Sequence, residues 1–541
     1  MSREPEQLEH LAPGPVGPAA RSPWLAAVVA ATLFLACALQ LILSDNLLGR
    51  AAFDQLHYHE PAIRKFAAQW PRPDLSDYRS ATTPGYHLLL ASVCRYLSDS
   101  GRVLQLAGAG ITAAMLGLFA FAATRCAGAA GGRSAAVWGV WLTLPLLASI
   151  YVFFPGVWLV PDNLGWLLVL GIGLVSWRIA LGAERRGAGA VNFVFAAALL
   201  LAVVLVRQSH LWCAGMIWLA AWVGAAPIGD GGLMGVMSRF WVRVRALVPA
   251  SMATLPAALA LVYFAKLWGG LTPPMFAGQY GSIVNPATPA FVLSLAAVMS
   301  VFFAGFIAPA AWRVLRERPM GLGLAMLAGV VVAAIPETTY VHEPRSTGLW
   351  NLVKVAPVIG GHSSVVLLAM APLGVWAVWA WFAALGAKER WFFVGTLVAF
   401  TAAQTANPLC WQRYIEPLML MMMGLGAASI IANPAGMEPA KARGFERFLR
   451  HAAPFARMKG PAVLAFLLAL ITIRSLLNPD VPWNTEIGPD GRRRVAGGVL
   501  VIPGIRMEEQ EDRIAPFKRP ERDVPPAAQD LPTIPTTPND R

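Results

Sequence analysis

Two carboxylates and two imidazoles fall within seven consecutive residues: Asp54, His57, His59 and Glu60, in the stretch FDQLHYHEP. A carboxylate at the water side of an apolar surface is desolvated enough to take a proton from a hydroxyl, so Asp54 and Glu60 are candidate bases and the imidazoles candidate substrate contacts. The same cluster fits a solvated helix cap, because anionic side chains favour helix N-termini whatever their role. A metal site is the third reading. It is the weakest on spacing, since His57 and His59 share one side only in an extended segment.

A second set of residues is basic. Arg207 and Gln208 interrupt the apolar stretch 190–224, Arg413 stands in NPLCWQRYIEP, and Lys354 follows His342, Glu343 and Arg345 in another polar connector. Polar groups at such positions usually face a bundle interior or a water-filled cavity. Several of them facing one cavity would form a phosphate clamp, because guanidinium binds phosphate bidentately and neutralises a departing one. Taken singly, each is more often a contact with lipid headgroups than a catalytic group.

The elements that must position these groups follow from composition. Of 541 residues 57% are apolar and only 13% charged, about half the charged share of a soluble domain. Mean hydropathy is +0.55. The chain is expected to be an all-α, polytopic membrane bundle. The net charge of +13 would suggest nucleic acid in a soluble protein. Here the surplus lies in short loops between apolar runs, where it sets orientation, so membrane lipids rather than nucleic acid are the expected partners.

Residues 24–43 form an uncharged run of twenty, long enough to span and too long for a signal-peptide core, so an uncleaved helix is expected after a cytoplasmic tail, 1–23. Twelve more runs, near 103–124, 134–154, 164–181, 190–206, 209–226, 246–266, 289–311, 321–336, 364–385, 391–406, 417–432 and 461–477, bring the expected spans to thirteen. A cytoplasmic N-terminus places Arg125, Arg133, Arg185, Arg186, Arg239, Arg243, Arg245, Arg313, Arg316, Arg318, Lys388 and Arg390 inside, as the positive-inside rule requires. The membrane module is then 24–477. A long first loop, 44–102, and a Pro- and charge-rich tail, 478–541, fall outside. The tail is expected to be largely disordered, with one short strand near 499–502. The five cysteines are scattered and show no C-x-x-C spacing, so thiol chemistry has no expected role. No internal repeat is visible, which weakens a transporter built from duplicated halves.

Within the first loop, residues 61–70 place Ile63, Phe66, Ala67 and Trp70 at helical spacing, with Arg64 and Lys65 off that face. The expectation is an interfacial helix opened by Pro61 and stopped before Pro71, with Asp54, His57, His59 and Glu60 gathered just ahead of its N-terminus. Residues 82–96 are too short to span and should dip into the outer leaflet or pack on the bundle.

These residues resemble the first loop of the GT-C superfamily of membrane glycosyltransferases. More narrowly, the chain is similar to the dolichyl-phosphate-glucose α-1,2-glucosyltransferase family, which adds the terminal glucose to lipid-linked oligosaccharide. That family's loop opens with Asp-Glu, then His and Pro, and continues to Thr-Thr-Pro-Pro-Gly; here Asp54, Gln55, His59 and Pro61 precede Thr82, Thr83, Pro84 and Gly85. Its Arg-Gln-Thr-Asn motif before a Trp resembles Arg207, Gln208, Ser209, His210 and Trp212. A Gly-Ser-Ile-Val stretch at 281–284, and Arg413 and Tyr414 near Pro417, follow in the same order. The sequence departs from the pattern at Gln55, where the family has its second acid, and at His210, where it has Asn.

The resemblance implies an inverting transfer of a hexose from a polyprenyl-phosphate sugar to a hydroxyl of a lipid-linked or surface glycan. Asp54 would be the base with Glu60 as second acid; Arg207, Gln208, Arg413 and Lys354 would hold the donor phosphate; His57, His59, Thr83 and His210 would contact substrate. Basic side chains can serve a phosphomonoester leaving group, so no metal or cofactor is expected. The Ala-, Gly- and Arg-rich composition fits a bacterial chain, which puts the site on the periplasmic face of the inner membrane. The rival from another class is a transporter or flippase of lipid-linked sugars. It would need polar groups near the midplane, along a path to both sides.

Overall fold

The computed structural model describes residues 22–44, 50–128, 134–182, 188–226, 233–277, 284–341, 344–432, 445–477, 485–487 and 493–495. The chain divides into two compact units, Met1–Pro479 and Asp480–Arg541. Of the second, the described part is an antiparallel ribbon pairing Thr485–Ile487 with Arg493–Val495. The strand expected near 499–502 and nearly all of the N-terminal tail lie outside the described residues.

Among the described residues the first unit is helical apart from short connectors, one of which pairs Val358–Ile359 antiparallel with Ser363–Ser364. Seven of its described helices are long and apolar enough to cross a membrane. They are Ser22–Leu43, Gly101–Ala127, Asp162–Leu181, Ala188–Val206, Leu233–Trp268, Val365–Ala384 and Phe445–Leu477. Two bent pairs raise the number to nine: residues 135–157, broken by 76° at Ser149, and 288–317, broken by 112° at Phe303. Ser149 breaks its pair by turning extended and capping the following helix at the Tyr151 N–H.

Thirteen crossings are thus not met by length and apolarity alone. The remaining four runs do form helices, but Cys213–Gly224 has 12 residues, Pro319–Ala334 has 16 and Glu416–Ala432 has 17. At about 1.5 Å per residue these reach roughly 18 to 26 Å, against a hydrocarbon core of about 30 Å. Ala387–Thr405 has 19 residues but opens on Lys388, Glu389 and Arg390. Apolar runs read by composition merge a spanning helix with the turn that feeds it: 209–226 loses its first four residues to a tight 3₁₀ turn, Gln208–Trp212.

The first loop departs from expectation in an instructive way. Residues 50–68 form one continuous helical run, with Arg50–Asp54 and Glu60–Ala68 joined by a π-helical turn, Gln55–His59. Pro61 is the physical reason. It supplies no N–H and its ring crowds the carbonyl four residues back, so the helix widens there and the Glu60 N–H reaches the Gln55 carbonyl, five residues away. Asp54, His57 and His59 are therefore on the helix rather than ahead of it, and successive side chains face different neighbours. The apolar face is as expected, Ala62, Ile63, Phe66 and Ala67 being buried. It is covered by protein, in a cluster with Tyr78, Tyr86, Leu90, Leu104 and Trp268. Trp70 falls in the turn beyond the helix and packs on Tyr96.

Residues 82–96 pack on the bundle. Their helix, Gly85–Tyr96, meets the end of Ala188–Val206 so closely that a Cβ at Gly85 would lie 2.6 Å from the Leu205 carbonyl oxygen. Only glycine fits there.

Candidate functional site

Four connectors meet at one end of the bundle and contribute alternating charges. Asp54 Oδ2 lies 3.5 Å from Arg413 Nη1, and Arg413 Nη2 lies 3.7 Å from Asp162 Oδ2. Asp162 Oδ1 accepts from Arg207 Nη1 at 2.5 Å. In the chain Asp54–Arg413–Asp162–Arg207 the first two side chains are 19% and 25% exposed and the second two 3% and 12%. Two acids and two guanidiniums neutralise one another, which is the condition for burying charge beside an apolar bundle.

Each member has its own support. Asp162 opens the helix Asp162–Leu181 directly after Pro161, where the helix dipole favours a carboxylate. Arg207 is the extended residue between Ala188–Val206 and the tight turn. Arg413 stands in the 3₁₀ turn Gln412–Tyr414. Gln412 anchors that turn: its amide donates to Glu416 at 2.5 Å and its carbonyl accepts the Leu349 N–H at 2.7 Å. Glu416 in turn accepts from Ser149 Oγ at 2.5 Å, tying the turn to the break at residue 149. Tyr414 lies beneath both guanidiniums, at 4.4 Å from Arg207 and 5.0 Å from Arg413, and stacks on Trp411. Such cation–π contacts hold the arginine planes in place without consuming their N–H donors.

The remaining expected site residues fall elsewhere. Glu60 accepts from Arg64 Nη2 at 2.5 Å and from Gln55 Nε2 at 3.1 Å, so it belongs to the interior of the first loop rather than to the charged chain. Gln55 uses both ends of its amide: while Nε2 serves Glu60, Oε1 accepts from Gln105 at 3.2 Å and from the Leu159 N–H at 3.1 Å. An acid at 55 could not donate to Glu60. Gln55 and Glu60 thus form one structural unit, the amide supplying the donor that the carboxylate takes.

Thr83 and Gln208 form a seam. Thr83 Oγ1 donates to the Val204 carbonyl at 2.6 Å, and its N–H donates to Gln208 Oε1 at 3.0 Å. Gln208 Nε2 donates to the carbonyls of Ala81 and Leu271. Neither side chain keeps a group directed at a ligand, and both close the first loop onto the bundle. His210 is buried against Trp166, whose ring centroid is 5.1 Å away. His57 stacks on Phe53 at 4.1 Å, and burial, with a smaller effect from Arg79, lowers its pKa. Lys354 is exposed, 5.3 Å from the Tyr340 ring, and stands outside the charged chain. His342, Glu343 and residues 281–283 lie outside the described residues.

His59 is buried and its Nδ1 lies 3.0 Å from His87 Nε2. Burial pushes its pKa down to about 3, with Asp162 opposing and the two arginines assisting. Among the described residues no group of three or more His, Cys, Asp or Glu is placed to hold a metal ion. The helical course of the first loop separates His57 from His59, which removes the extended geometry a metal reading needed.

Asp162 is the residue the sequence reading does not single out, and Tyr414 enters it only as part of a motif, without a role. Asp162 has a legible signal: a charge directly after a proline, at the mouth of an otherwise neutral run. Compared with family models, curated proteins and solved structures, the chain matches none of them.

Proposed function

We propose that the chain is an inverting, GT-C-type membrane glycosyltransferase. It moves a hexose from a polyprenyl-phosphate sugar to a hydroxyl of a lipid-linked or surface glycan. All thirteen apolar helices cross the membrane in this proposal, counting each bent pair as one, and the charged end faces the periplasm of a bacterial inner membrane. One observation carries the reading: Asp54, Arg207 and Arg413, a base and two phosphate ligands by residue type, meet in a single chain although 359 positions separate the first from the last.

The chemistry follows from that chain. A phosphate arriving at the charged chain competes with carboxylates for guanidinium. The Asp54–Arg413 contact, at 3.5 Å, is longer than the buried Asp162–Arg207 pair, at 2.5 Å, and more exposed to solvent. Phosphate therefore takes Arg413 from Asp54 first, while Asp162 keeps both guanidiniums oriented. Asp54 accepts the proton of the acceptor hydroxyl as the hydroxyl oxygen attacks the anomeric carbon. The bond from that carbon to the phosphate oxygen breaks on the opposite face. The charge that develops on the phosphate is met by Arg413 and Arg207, already in place.

The transporter reading has a specific difficulty. Two of the described spanning helices carry their charges only at their ends: Asp162–Leu181 is neutral between Asp162 and Arg178, and Gly101–Ala127 between Arg102 and Arg125. A path to both sides would place polar charge between them. The test is transfer by purified protein in defined lipid, with polyprenyl-phosphate hexoses as donors and the product read by mass spectrometry. Glycan profiles of cells with and without the gene identify the acceptor. Absence of any glycosyl transfer, with unchanged glycans, overturns the enzyme. Reporter fusions at Gly128 and Pro482 test the topology and should report opposite sides; the same side for both overturns it.

A further inference from the structure

The pair His59–His87 joins two segments of the first loop beside the charged chain, with 3.0 Å between Nδ1 of one ring and Nε2 of the other. His87 is fully buried, its ring set edge-to-face with Phe66, Tyr78 and Tyr86 at 6.5, 5.9 and 5.7 Å. No described protein group lies within hydrogen-bonding reach of its Nδ1. The charged groups acting on His59 are Asp162, Arg413 and Arg207, three of the four members of the chain. Burial pushes both rings well below the ordinary histidine range, so both are neutral and one donates to the other.

Two arrangements satisfy that bond. If His59 donates from Nδ1, then His87 carries its proton on Nδ1, a buried N–H with only ring faces around it. If His87 donates from Nε2, its Nδ1 is a lone pair and the proton of His59 sits on Nε2. Orphaned buried N–H groups are the rarer of the two defects.

We propose that His87 is a positioning residue: by donating Nε2–H to His59 Nδ1 it fixes His59 in the Nε2–H tautomer, and so gives the site a neutral hydrogen-bond donor for an oxygen of the bound sugar phosphate. The ligand rests on the glycosyltransferase reading, whereas the tautomer does not. A neutral donor complements the arginines, because it holds an ester or hydroxyl oxygen without competing for Asp162.

The experiment has two arms. In protein labelled with ¹⁵N-histidine and held in lipid, with His59 assigned by its loss in His59→Asn, Nδ1 of His59 should give a pyridine-type resonance and Nε2 a pyrrole-type one. A pyrrole-type Nδ1 overturns the proposal whatever the protein's activity. In the second arm, binding of undecaprenyl phosphate and transfer from its hexose ester are compared in His87→Leu and His87→Gln. Glutamine keeps an N–H at the ε position and leucine removes it. His87→Leu should weaken binding and raise KM about tenfold, the loss of one hydrogen bond to a bound ester or hydroxyl oxygen, while kcat changes less. His87→Gln should restore most of it. Equal loss in both variants, or loss in neither, overturns the positioning role. Should transfer itself be absent, a pyridine-type Nδ1 and the binding contrast still support it.

Discussion

Two regions near the same end of the bundle use residues of matching sequence character in opposite ways. In the seam, Thr83 and Gln208 direct every polar atom described for them at backbone carbonyls, a backbone N–H or one another. In the charged chain, Asp54, Arg413, Asp162 and Arg207 pair with one another through contacts of 2.5 to 3.7 Å. A ligand cannot compete with a main-chain hydrogen bond that also closes a loop. It can compete with a carboxylate for a guanidinium. Motif residues therefore sort by the kind of partner they have, and the sorting predicts which substitutions reach the chemistry and which reach only the fold.

The largest effect should come from Asp54→Asn. The substitution keeps the size of the side chain and most of its hydrogen bonding while removing the basic lone pair. The protein should fold and bind donor yet lose roughly 10²- to 10⁴-fold in kcat, the usual consequence of removing a general base. Steady-state transfer together with donor binding measures both. Full turnover in Asp54→Asn would move the chemistry out of the charged chain.

Next come the arginines. Arg207→Ala and Arg413→Ala each remove a charge-assisted contact worth about 1.5 to 3 kcal/mol, so at least one should lower kcat/KM for the donor by roughly 10- to 150-fold. Arg207→Ala also leaves Asp162, 3% exposed, with Arg413 as its remaining guanidinium at 3.7 Å, and should be the less stable protein of the two. Unchanged donor kinetics in both would return these residues to headgroup anchoring.

Much of this was legible before any coordinate. The apolar face of the first-loop helix follows from periodicity, the candidacy of Arg207 and Arg413 from residue type in an apolar setting, and that of Asp54 from the first loop's cluster of acids and imidazoles; their pairing with one another does not. Composition could not give the helical course of 50–59, because Pro61 is ordinarily a start signal and here widens a helix already under way. It also could not separate Thr83 and Gln208 from true ligands, since a motif records residue types and not the direction of their hydrogen bonds. Asp162 was passed over because a lone carboxylate opening a helix reads as a cap. Its second role exists only when two arginines from distant connectors converge on it.

The histidine pair lies between the two regions and sharpens the comparison through pH. His59 has a native pKa near 3 against an ordinary 6.5, and burial lowers His87 in the same direction. Between those values the unfolded chain binds protons that the native state does not, so stability rises with pH through the window and falls as pH drops below about 6.5. The slope is up to about 1.4 kcal/mol per pH unit for each ring. Thermal unfolding in lipid between pH 7 and 5 should show it, and His59→Gln with His87→Gln should flatten it. An unflattened slope would assign the acid sensitivity to other groups.

The seam should respond differently. Thr83→Val removes the bond to the Val204 carbonyl and leaves that oxygen without its hydroxyl partner, a change of about 0.5 to 1.5 kcal/mol in stability. Donor KM at a temperature where the variant is folded should stay within twofold. A selective rise in KM would mean that Thr83 reaches the ligand after all, and the sorting by partner would lose its main support.

The smallest expected effect belongs to Glu60→Gln, and it is the most exacting test of the comparison, because Glu60 is an acid only six positions from Asp54. Its carboxylate is 15% exposed and is held by Arg64 and Gln55, with no described contact to Arg207 or Arg413. Glutamine at 60 can still accept from Gln55 and Arg64. What is lost is charge: an i,i+4 ion pair of about 0.3 to 0.5 kcal/mol and a helix-dipole interaction of about 0.3 to 1 kcal/mol. Turnover should therefore fall by less than threefold, alongside a slightly lower unfolding midpoint. If Glu60→Gln instead stops transfer while Asp54→Asn permits it, the two acids have exchanged roles, and the base lies in the loop interior with Arg64 as its partner. If transfer survives in both single variants and in the double variant, neither acid is the base and a mechanism that depends on a first-loop carboxylate fails.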